Sequence, residues 1–279
     1  MILNTVNTVD QRKTTVPIAD KNTDDKNIIL CTNNLCLCYG TKPAIENISV
    51  KIPERSITAI IGPSGSGKSS FLCCLNKLTQ MNEDCDVTGS IRFRDQEVLA
   101  DEVSVTKLRC QIGMLFQTPN PFPFSIWKNL ELPLRHHGIR NKEIITEKIE
   151  TVLKDVGLWQ EVNNRLKNSA QTLSGGQQQR LCLARALILK PEVILMDEPC
   201  SALDPLSSQH IEKLIRDLSS TCTVAIVTHN LAQAQRIADY VAFFWNQDNK
   251  GQLIEYGTTE QIFKSPRHEL TKAYVISGN

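Results

Sequence analysis

The chain has 279 residues, of which 41% are hydrophobic, so one large domain can bury a substantial core. Its 31 Lys and Arg residues balance 30 Asp and Glu residues, which argues against a nucleic-acid-binding protein with its usual basic stripe. No stretch approaches the roughly 20 apolar residues that span a bilayer, and no apolar signal region opens the chain, so we expect a cytoplasmic location.

The N-terminal part of the chain divides into two regions. Residues 1–27 are rich in Asn, Thr, Asp and Lys and show little periodicity, which predicts a flexible tail ahead of one domain over residues 28–279. Within that domain, the segments 28–50 and 89–93 alternate well enough to predict strands of an antiparallel layer.

A glycine-rich run follows a predicted strand at residues 56–61 and precedes apolar residues at helical spacing over 69–78. The run has GxxxxGK[ST] spacing, in which backbone N–H groups and a helix dipole bind phosphate. Lys68 is predicted to reach the β- and γ-phosphates of a nucleotide, and the Ser69 hydroxyl to hold Mg²⁺. The alternative is a flexible loop before an ordinary helix. The predicted nucleotide-binding residues here are Gly62, Pro63, Ser64, Gly65, Ser66, Gly67, Lys68, Ser69 and Ser70.

Helical spacing returns after a proline-rich stretch. The segments 126–134 and 142–156 carry apolar residues at helical intervals, which predicts a helical region between residues 118 and 172. The adjacent His136 and His137 are typical of a solvated pair rather than of metal ligands.

The sequence LSGGQQQR begins at Leu173 and lies just before the apolar segment 193–196. A serine and two glycines at a helix start offer a hydroxyl and closely approaching backbone donors to a phosphate. The apolar segment is typical of a central parallel strand, so Asp197 and Glu198 are expected at its carboxyl end, where ligands bind in open α/β sheets. The alternative is that the two acidic residues only end a strand before a turn.

The C-terminal third predicts parallel-sheet architecture. The strand segment 223–227 ends before Thr228 and His229, and helical patterns at 206–218 and 231–238 alternate with the strands. The ten cysteines form neither a CxxC pair nor zinc-ligand spacing, which favours small buried thiols over a metal site or disulfides.

The motif LSGGQ, just upstream of a strand that ends in Asp-Glu, resembles the signature sequence of ATP-binding-cassette (ABC) ATPases. The resemblance covers about residues 28–275 in the motif order of that family. It implies an α/β P-loop NTPase fold, the ABC-type nucleotide-binding domain with an antiparallel β layer and an inserted α-helical subdomain. The helical subdomain is expected at 118–172, and the catalytic core at 28–117 and 173–279.

The resemblance also implies a role for each matching residue. Asp197 would organise the Mg²⁺ shell together with Ser69 and Gln117, and Glu198 would polarise the attacking water. His229 would contact the γ-phosphate, and Gln117 would link the nucleotide to the transport partner. Tyr39 would stack on adenine, although a strand-edge aromatic is the alternative for this residue. The implied catalytic residues are Glu198, His229 and Lys68.

In the ABC family, ATP is held between two subunits, so one chain carries half of each site. The resemblance therefore implies a homodimer in which each chain contacts the partner's nucleotide through its signature sequence and through the segment Ser201-Ala202-Leu203-Asp204, which resembles the D-loop of the family. The implied residues for this contact are Ser174, Gly175, Gly176, Gln177 and Asp204.

Three local features narrow the resemblance. The segment 120–126, Cys182 and Cys200 together are similar to the ATP-binding subunits of bacterial phosphate importers. Ser66 and Ser70 depart from the usual Cys and Thr of that group, and so does the C-terminal tail. The likeness implies two integral membrane permease subunits, an extracytoplasmic phosphate-binding protein as indirect partner, and a peripheral location on the cytoplasmic face of the inner membrane.

Two other functions remain open at this point. An ATPase subunit does not touch the cargo, so the chain could energise import of another solute. It could also be a soluble ABC ATPase of the kind that acts in DNA repair or on the ribosome. Those proteins usually carry long coiled-coil insertions or two cassettes, whereas this sequence has one set of motifs and no long heptad repeats.

Overall fold

The computed structural model describes residues 27–201 and 203–277. Nearly all of the predicted N-terminal tail therefore lies outside the described residues. Ala202 in the predicted D-loop and the last two residues of the C-terminal tail lie outside them as well. None of the helices within the described ranges combines the length and apolar character needed to cross a membrane.

Eleven strands occur in the described residues: β1 (Ile28–Tyr39), β2 (Lys42–Ile48), β3 (Lys51–Pro53), β4 (Ile57–Ile61), β5 (Cys85–Phe93), β6 (Gln96–Glu97), β7 (Ile112–Leu115), β8 (Val193–Asp197), β9 (Thr223–Val227), β10 (Tyr240–Gln247) and β11 (Lys250–Thr258). The predicted strand segment 28–50 forms β1 and β2, because the chain turns at Gly40 in the left-handed region with a φ of 57°.

The strands form one sheet in the order β6-β5-β1-β2-β11-β10-β4-β9-β8-β7, with β3 paired to β1. The run β10-β4-β9-β8-β7 is parallel. The strands β1, β2, β3, β5 and β6 pair antiparallel. The pairing of Gly251 with Ile45 joins β11 to β2, so the predicted antiparallel layer and the parallel core are continuous.

The parallel strands are buried on both faces. In β8, Ile194 and Met196 contact one hydrophobic cluster, and Val193 and Leu195 contact the other. The strands β4 and β9 divide between the same two clusters. Because side chains alternate along a strand, the uninterrupted apolar runs of the sequence place apolar groups in both cores.

Ten α-helices accompany the sheet in the described residues: α1 (Lys68–Leu75), α2 (Val105–Gln111), α3 (Ile126–His136), α4 (Lys142–Asp155), α5 (Trp159–Val162), α6 (Gly175–Leu187), α7 (Pro205–Ser219), α8 (Leu231–Ile237), α9 (Thr259–Lys264) and α10 (Glu269–Ser277). Helix α1 ends earlier than the helix predicted over residues 69–78. Lys77 adopts a left-handed φ of 59°, and the chain then continues as a 3₁₀ turn.

The predicted helical region contains α3, α4 and α5. Ser125 begins α3 by accepting the backbone N–H of Lys128 at 3.1 Å, and Asn141 begins α4 by accepting that of Glu143 at 2.8 Å. The apolar faces of α3 and α4 join the same hydrophobic cluster as one face of the sheet. The boundaries at residues 118 and 172 stay a prediction.

The cysteines are less buried than expected. All ten are free thiols, and three of them, Cys74, Cys182 and Cys222, are buried, while the other seven are partly exposed. The expectation of buried thiols is therefore wrong for most of them, since the apolar cores are filled mainly by branched aliphatic side chains. His136 and His137 are exposed, and His137 Nε2 lies 3.2 Å from Cys110 Sγ.

The start of β11 packs against the loop that connects β4 to α1. A Cβ atom on Gly251 would lie 2.3 Å from the backbone oxygen of Ser66 and 3.0 Å from that of Ala44. Both neighbours are backbone atoms, which cannot rotate away as a flexible side chain can. Only glycine fits this close approach between the hairpin and the loop.

We expect Gly251→Ala to lower the free energy of unfolding by about 1–3 kcal/mol, the usual cost of overpacking. Denaturant unfolding followed by circular dichroism measures this loss. The neighbouring Gln252→Ala is the control and should unfold close to wild type. A Gly251→Ala chain as stable as the control would contradict the packing argument.

Candidate functional site

The site lies where parallel strands end at one edge of the sheet. Ile60 of β4 and Asp197 of β8 both pair with Val227 of β9, so the three strands end at the same level. The residues that follow them are the glycine-rich loop, Glu198 and Thr228-His229. Sheet register therefore brings together three sequence motifs that lie far apart along the chain.

The loop at residues 62–67 begins α1 with glycine in a conformation that other residues rarely adopt. Gly67 is the N-cap of α1 with a φ of 82°, and a Cβ there would lie 2.3 Å from Ile45 Cγ2. Ser66 is buried and donates from Oγ to the Pro63 carbonyl at 2.9 Å. Ser64 and Gly65 are exposed at the loop tip. The exposed loop therefore leads directly into the N-terminus of α1, the part of a helix that favours anions.

Lys68 places its ammonium group within this loop. Its Nζ donates to the carbonyl oxygens of Gly62 at 2.9 Å and Pro63 at 2.7 Å. Burial lowers the pKa of Lys68, while the nearby Glu198 and Asp197 carboxylates oppose that shift. Nζ also lies 3.5 Å from Ser66 Oγ, a long contact that a phosphate oxygen can replace as acceptor of the third N–H donor of the ammonium.

Ser69 and Asp197 come together as predicted for a shared ligand set. Ser69 Oγ donates to Asp197 Oδ1 at 3.0 Å, across the gap between α1 and the end of β8. Burial raises the pKa of Asp197, the Ser69 hydrogen bond lowers it, and Glu198 raises it further. A positive charge between these groups would relieve the cost of the buried carboxylate.

Glu198 contacts two other predicted site residues. Its Oε2 accepts a hydrogen bond from Gln117 Nε2 at 3.1 Å and lies 2.9 Å from His229 Nδ1. Its backbone N–H donates to Val227, and its φ of 44° lies in the left-handed region. This conformation is costly for a side-chain-bearing residue, and it turns the carboxylate away from the line of β8.

Tyr39 lies at the end of β1, with its hydroxyl near Ser70 of α1. Its ring is 39% exposed, and its hydroxyl lies 3.3 Å from Ser70 Oγ. Burial raises the pKa of the Tyr39 hydroxyl, and the Ser70 hydrogen bond opposes the shift. The exposed ring face near the start of α1 can stack on a planar base, and its stacking role stays a prediction.

The signature sequence begins α6. Ser174 and Gln177 form a capping box, in which Gln177 Oε1 accepts the Ser174 backbone N–H at 3.0 Å. Gln177 Nε2 also donates to Glu161 of α5 at 2.7 Å. Burial tends to raise the pKa of Glu161, but hydrogen bonds from Arg180 and Gln177 lower it overall. The first turn of α6 is therefore rigid while Gly175 exposes its backbone.

Asp204 lies beside this turn as the N-cap of α7. Its Oδ1 accepts the backbone N–H groups of Leu206 and Ser207, both at 3.0 Å. These hydrogen bonds, led by the one from the Ser207 hydroxyl, lower the pKa of Asp204. A Cβ atom on Gly176 would lie 3.4 Å from Ser207 Oγ, so the signature turn and the start of α7 are neighbours.

The structure therefore divides the predicted residues into two groups. Lys68, Ser69, Asp197, Glu198 and His229 hydrogen-bond or interact electrostatically with one another, with Gln117 attached through Glu198. The signature turn and Asp204 form the second group: Gln177 hydrogen-bonds to Ser174 and to Glu161 of α5, Asp204 bonds to the first turn of α7, and Gly176 lies beside Ser207 of that turn. That the first group binds the nucleotide of its own chain and the second group contacts the nucleotide of a partner chain stays a prediction.

One residue that hydrogen-bonds to the loop at residues 62–67 could not be recognised from the sequence around it. Asn246, near the end of β10, donates from Nδ2 to the Gly65 carbonyl at 3.0 Å. This contact joins residues 181 positions apart, so it depends on the pairing of β10 with β4. Asn246 on β10 therefore stabilises the tip of the loop at residues 62–67.

The chain is similar to curated proteins of known name. It is 56% identical over 250 residues to "Phosphate import ATP-binding protein PstB 1" of Nitrosococcus oceani, an alignment that covers 90% of each chain. It is 46% identical over 259 residues to "Phosphate import ATP-binding protein PstB 2" of Aliivibrio fischeri, with 93% of this chain and 94% of the relative covered.

A solved structure with the same fold is the dimeric structure of a post-hydrolysis state of an ATP-binding cassette bound to ADP and Pi. It matches with a TM-score of 0.70 and 29% identity, and the match covers 82% of this chain and 98% of the other. The predicted P-loop fold with an antiparallel β layer is thereby confirmed. The family model described as "ABC transporter" matches residues 45–201, more than half of the chain. With the identities above, this match shows that the chain belongs to the ATP-binding cassette (ABC) transporter family and is an ATP-binding ATPase.

Proposed function

We propose that this chain is the ATP-hydrolysing subunit of an importer that carries inorganic phosphate across the cytoplasmic membrane. The observation that carries this proposal is its 56% identity, over 90% of both chains, to a phosphate import ATP-binding protein. The cargo is inferred from this likeness, since an ATPase subunit does not contact it. The geometry of the site supports the ATP-hydrolysing half of the proposal.

ATP binding uses the loop at residues 62–67 with Lys68 and the hydroxyls that follow. The N–H groups at the start of α1 and the Lys68 ammonium bind β- and γ-phosphate oxygens, and Tyr39 stacks on adenine. The charge of Lys68 is held beside Asp197 and Glu198.

The residues present fit a Mg²⁺ ion. Ser69 Oγ and Asp197 Oδ1 are hard oxygen donors 3.0 Å apart, and Gln117 donates through Nε2, which leaves its carbonyl oxygen as an acceptor. Magnesium favours oxygen ligands, with one or two from the protein and others from phosphate and water. When bound, the ion would neutralise charge on the β- and γ-phosphate oxygens.

Hydrolysis depends on Glu198 as the group that accepts a proton from the attacking water. Gln117 and His229 both contact Oε2, which leaves Oε1, without either contact, as the oxygen that we assign to the attacking water. His229 orients the carboxylate and donates to a γ-phosphate oxygen.

The working unit is a homodimer that holds ATP between two chains. Ser174, Gly175, Gly176, Gln177 and Asp204 contact the nucleotide that is bound to the partner's loop. In support, Ser174 and Gln177 form a capping box at the start of α6, Gly175 is exposed there, and Gly176 lies beside the first turn of α7, so a helix N-terminus that favours anions is presented at the surface. ATP-driven closure of the dimer then supplies the motion for transport.

The transport partners are two integral membrane permease subunits and, through them, an extracytoplasmic phosphate-binding protein. The chain lies on the cytoplasmic face of the inner membrane and is held there by the permeases alone. The helical region 118–172 supports this docking, because Phe122, Phe124 and Leu132 there are 38%, 43% and 41% exposed. Large exposed apolar side chains of this kind mark protein interfaces.

We expect Glu198→Gln to bind ATP normally, lose hydrolysis by at least about a hundredfold, and accumulate as an ATP-bound dimer, because the amide cannot accept the water proton. Phosphate release and size-exclusion chromatography with ATP measure this. The control is Glu260→Gln, which removes a carboxylate of an exposed ion pair on α9. ATP hydrolysis by Glu198→Gln at the wild-type rate would contradict the role of Glu198 as the proton acceptor.

Cargo is tested by uptake of labelled phosphate at low external concentration, in cells whose only copy of this chain is wild type or Glu198→Gln. We expect the variant to lose phosphate uptake and to keep uptake of unrelated solutes. The Glu260→Gln cells serve as the control and should import phosphate normally. Unchanged phosphate uptake with an inactive ATPase would contradict the proposed cargo and direct the search to other solutes.

A further inference from the structure

Helix α6, which begins with the signature sequence, contacts both ends of the segment that carries Gln117. Gln179 Nε2 donates to the Phe116 carbonyl at 3.3 Å, just before Gln117. Arg185 donates to the Asn120 carbonyl at 3.0 Å and to its side-chain oxygen at 2.9 Å, just after it. One rigid helix therefore holds the segment 116–122 at two points about 9 Å apart along its axis.

Gln179 is 1% exposed, and its Oε1 atom is buried without a hydrogen-bond partner among the described residues. Leaving a buried polar atom unpaired costs about 1–3 kcal/mol, and a leucine of similar size would avoid that cost. Packing alone does not account for glutamine here. The contact that glutamine provides and leucine lacks is the hydrogen bond to Phe116.

Arg185 makes the second attachment through a fork of donors. Its guanidinium lies 4.2 Å from the ring centre of Phe122 and donates to Asn129 Oδ1 at 3.3 Å. Burial lowers the pKa of Arg185. Asn129, itself fully buried, accepts the Phe122 N–H at 2.8 Å and donates to its carbonyl at 3.1 Å. A planar guanidinium can make these contacts together, whereas a lysine ammonium cannot.

Helix α6 and segment 116–122 each carry a predicted site residue: Ser174 of the signature sequence and Gln117. Ser174 caps the first turn of α6, and Gln117 Nε2 donates to Glu198 Oε2 at 3.1 Å. We propose that Gln179 and Arg185 are positioning residues that fasten segment 116–122 to α6, so that a shift of the signature sequence moves Gln117 relative to Glu198. The inference rests on the proposed two-chain ATP site.

The test compares Gln179→Leu, Arg185→Gln and Arg185→Lys in the full chain. We expect kcat for ATP hydrolysis to fall about tenfold in the first two, because a misplaced positioning group is costly even when the chemistry is intact. Arg185→Lys should recover part of that loss, since it keeps the charge and one donor. The Kd for ATP and the number of ATP molecules bound per chain should change less than about twofold, because the loop at residues 62–67 is untouched.

Stability separates positioning from a merely structural role. Gln179→Leu removes a buried unpaired oxygen and should unfold at or above the wild-type temperature while its kcat falls. The matched control for arginine is Arg216→Gln, whose side chain is exposed on α7 and lies away from segment 116–122; its kcat should equal wild type.

Two results would overturn the inference: wild-type kcat in both Gln179→Leu and Arg185→Gln, or losses of kcat that only follow losses of thermal stability. Failure of the proposed function looks different. In that case the single variant Glu198→Gln would not form an ATP-dependent dimer, regardless of the kcat values of the Gln179 and Arg185 variants.

Discussion

The site depends on one constraint, the common level at which β4, β8 and β9 end. Pairing of Ile60 and Asp197 with Val227 fixes that level, and hydrogen bonds along three buried strands hold it. A slip by one residue would exchange the side chains packed in the two hydrophobic cores, and the close packing of both cores opposes that exchange. The ammonium of Lys68, the paired carboxylates and His229 meet because the sheet cannot shift.

The cluster combines buried charges of both signs, which are costly to keep together. Burial raises the pKa of Asp197 and lowers that of Lys68, so each ion is disfavoured alone and is stabilised by its neighbours. Glu198 adds backbone strain through its positive φ. Such costs are typical of groups arranged for a ligand rather than for folding, and binding of a phosphate chain with its cation would relieve them. The hydrogen bonds of the signature turn do not join this cluster, which is consistent with the proposal that a second chain completes the site.

Much of this arrangement can be predicted from the sequence. Continuous apolar runs predict the central strands, and the motifs that follow them predict which residues gather at the edge. The early end of α1 could not be predicted, because it depends on Lys77 adopting a left-handed conformation that its residue type does not favour. Asn246, Gln179 and Arg185 escaped notice for a different reason. Their partners lie 181, 63 and 65 positions away, and a lone polar residue carries no sign of such a contact.

The central claim is that each ATP site combines the loop of one chain with the signature turn of another. Its most direct test mixes two inactive variants, Lys68→Ala and Ser174→Arg, and measures ATP hydrolysis against each alone. A mixed dimer would hold one complete site, so equal amounts should recover about a quarter of the wild-type rate, since about half of the dimers are mixed. No recovery from a mixture that forms dimers would contradict the shared site and place both elements in one chain's own site.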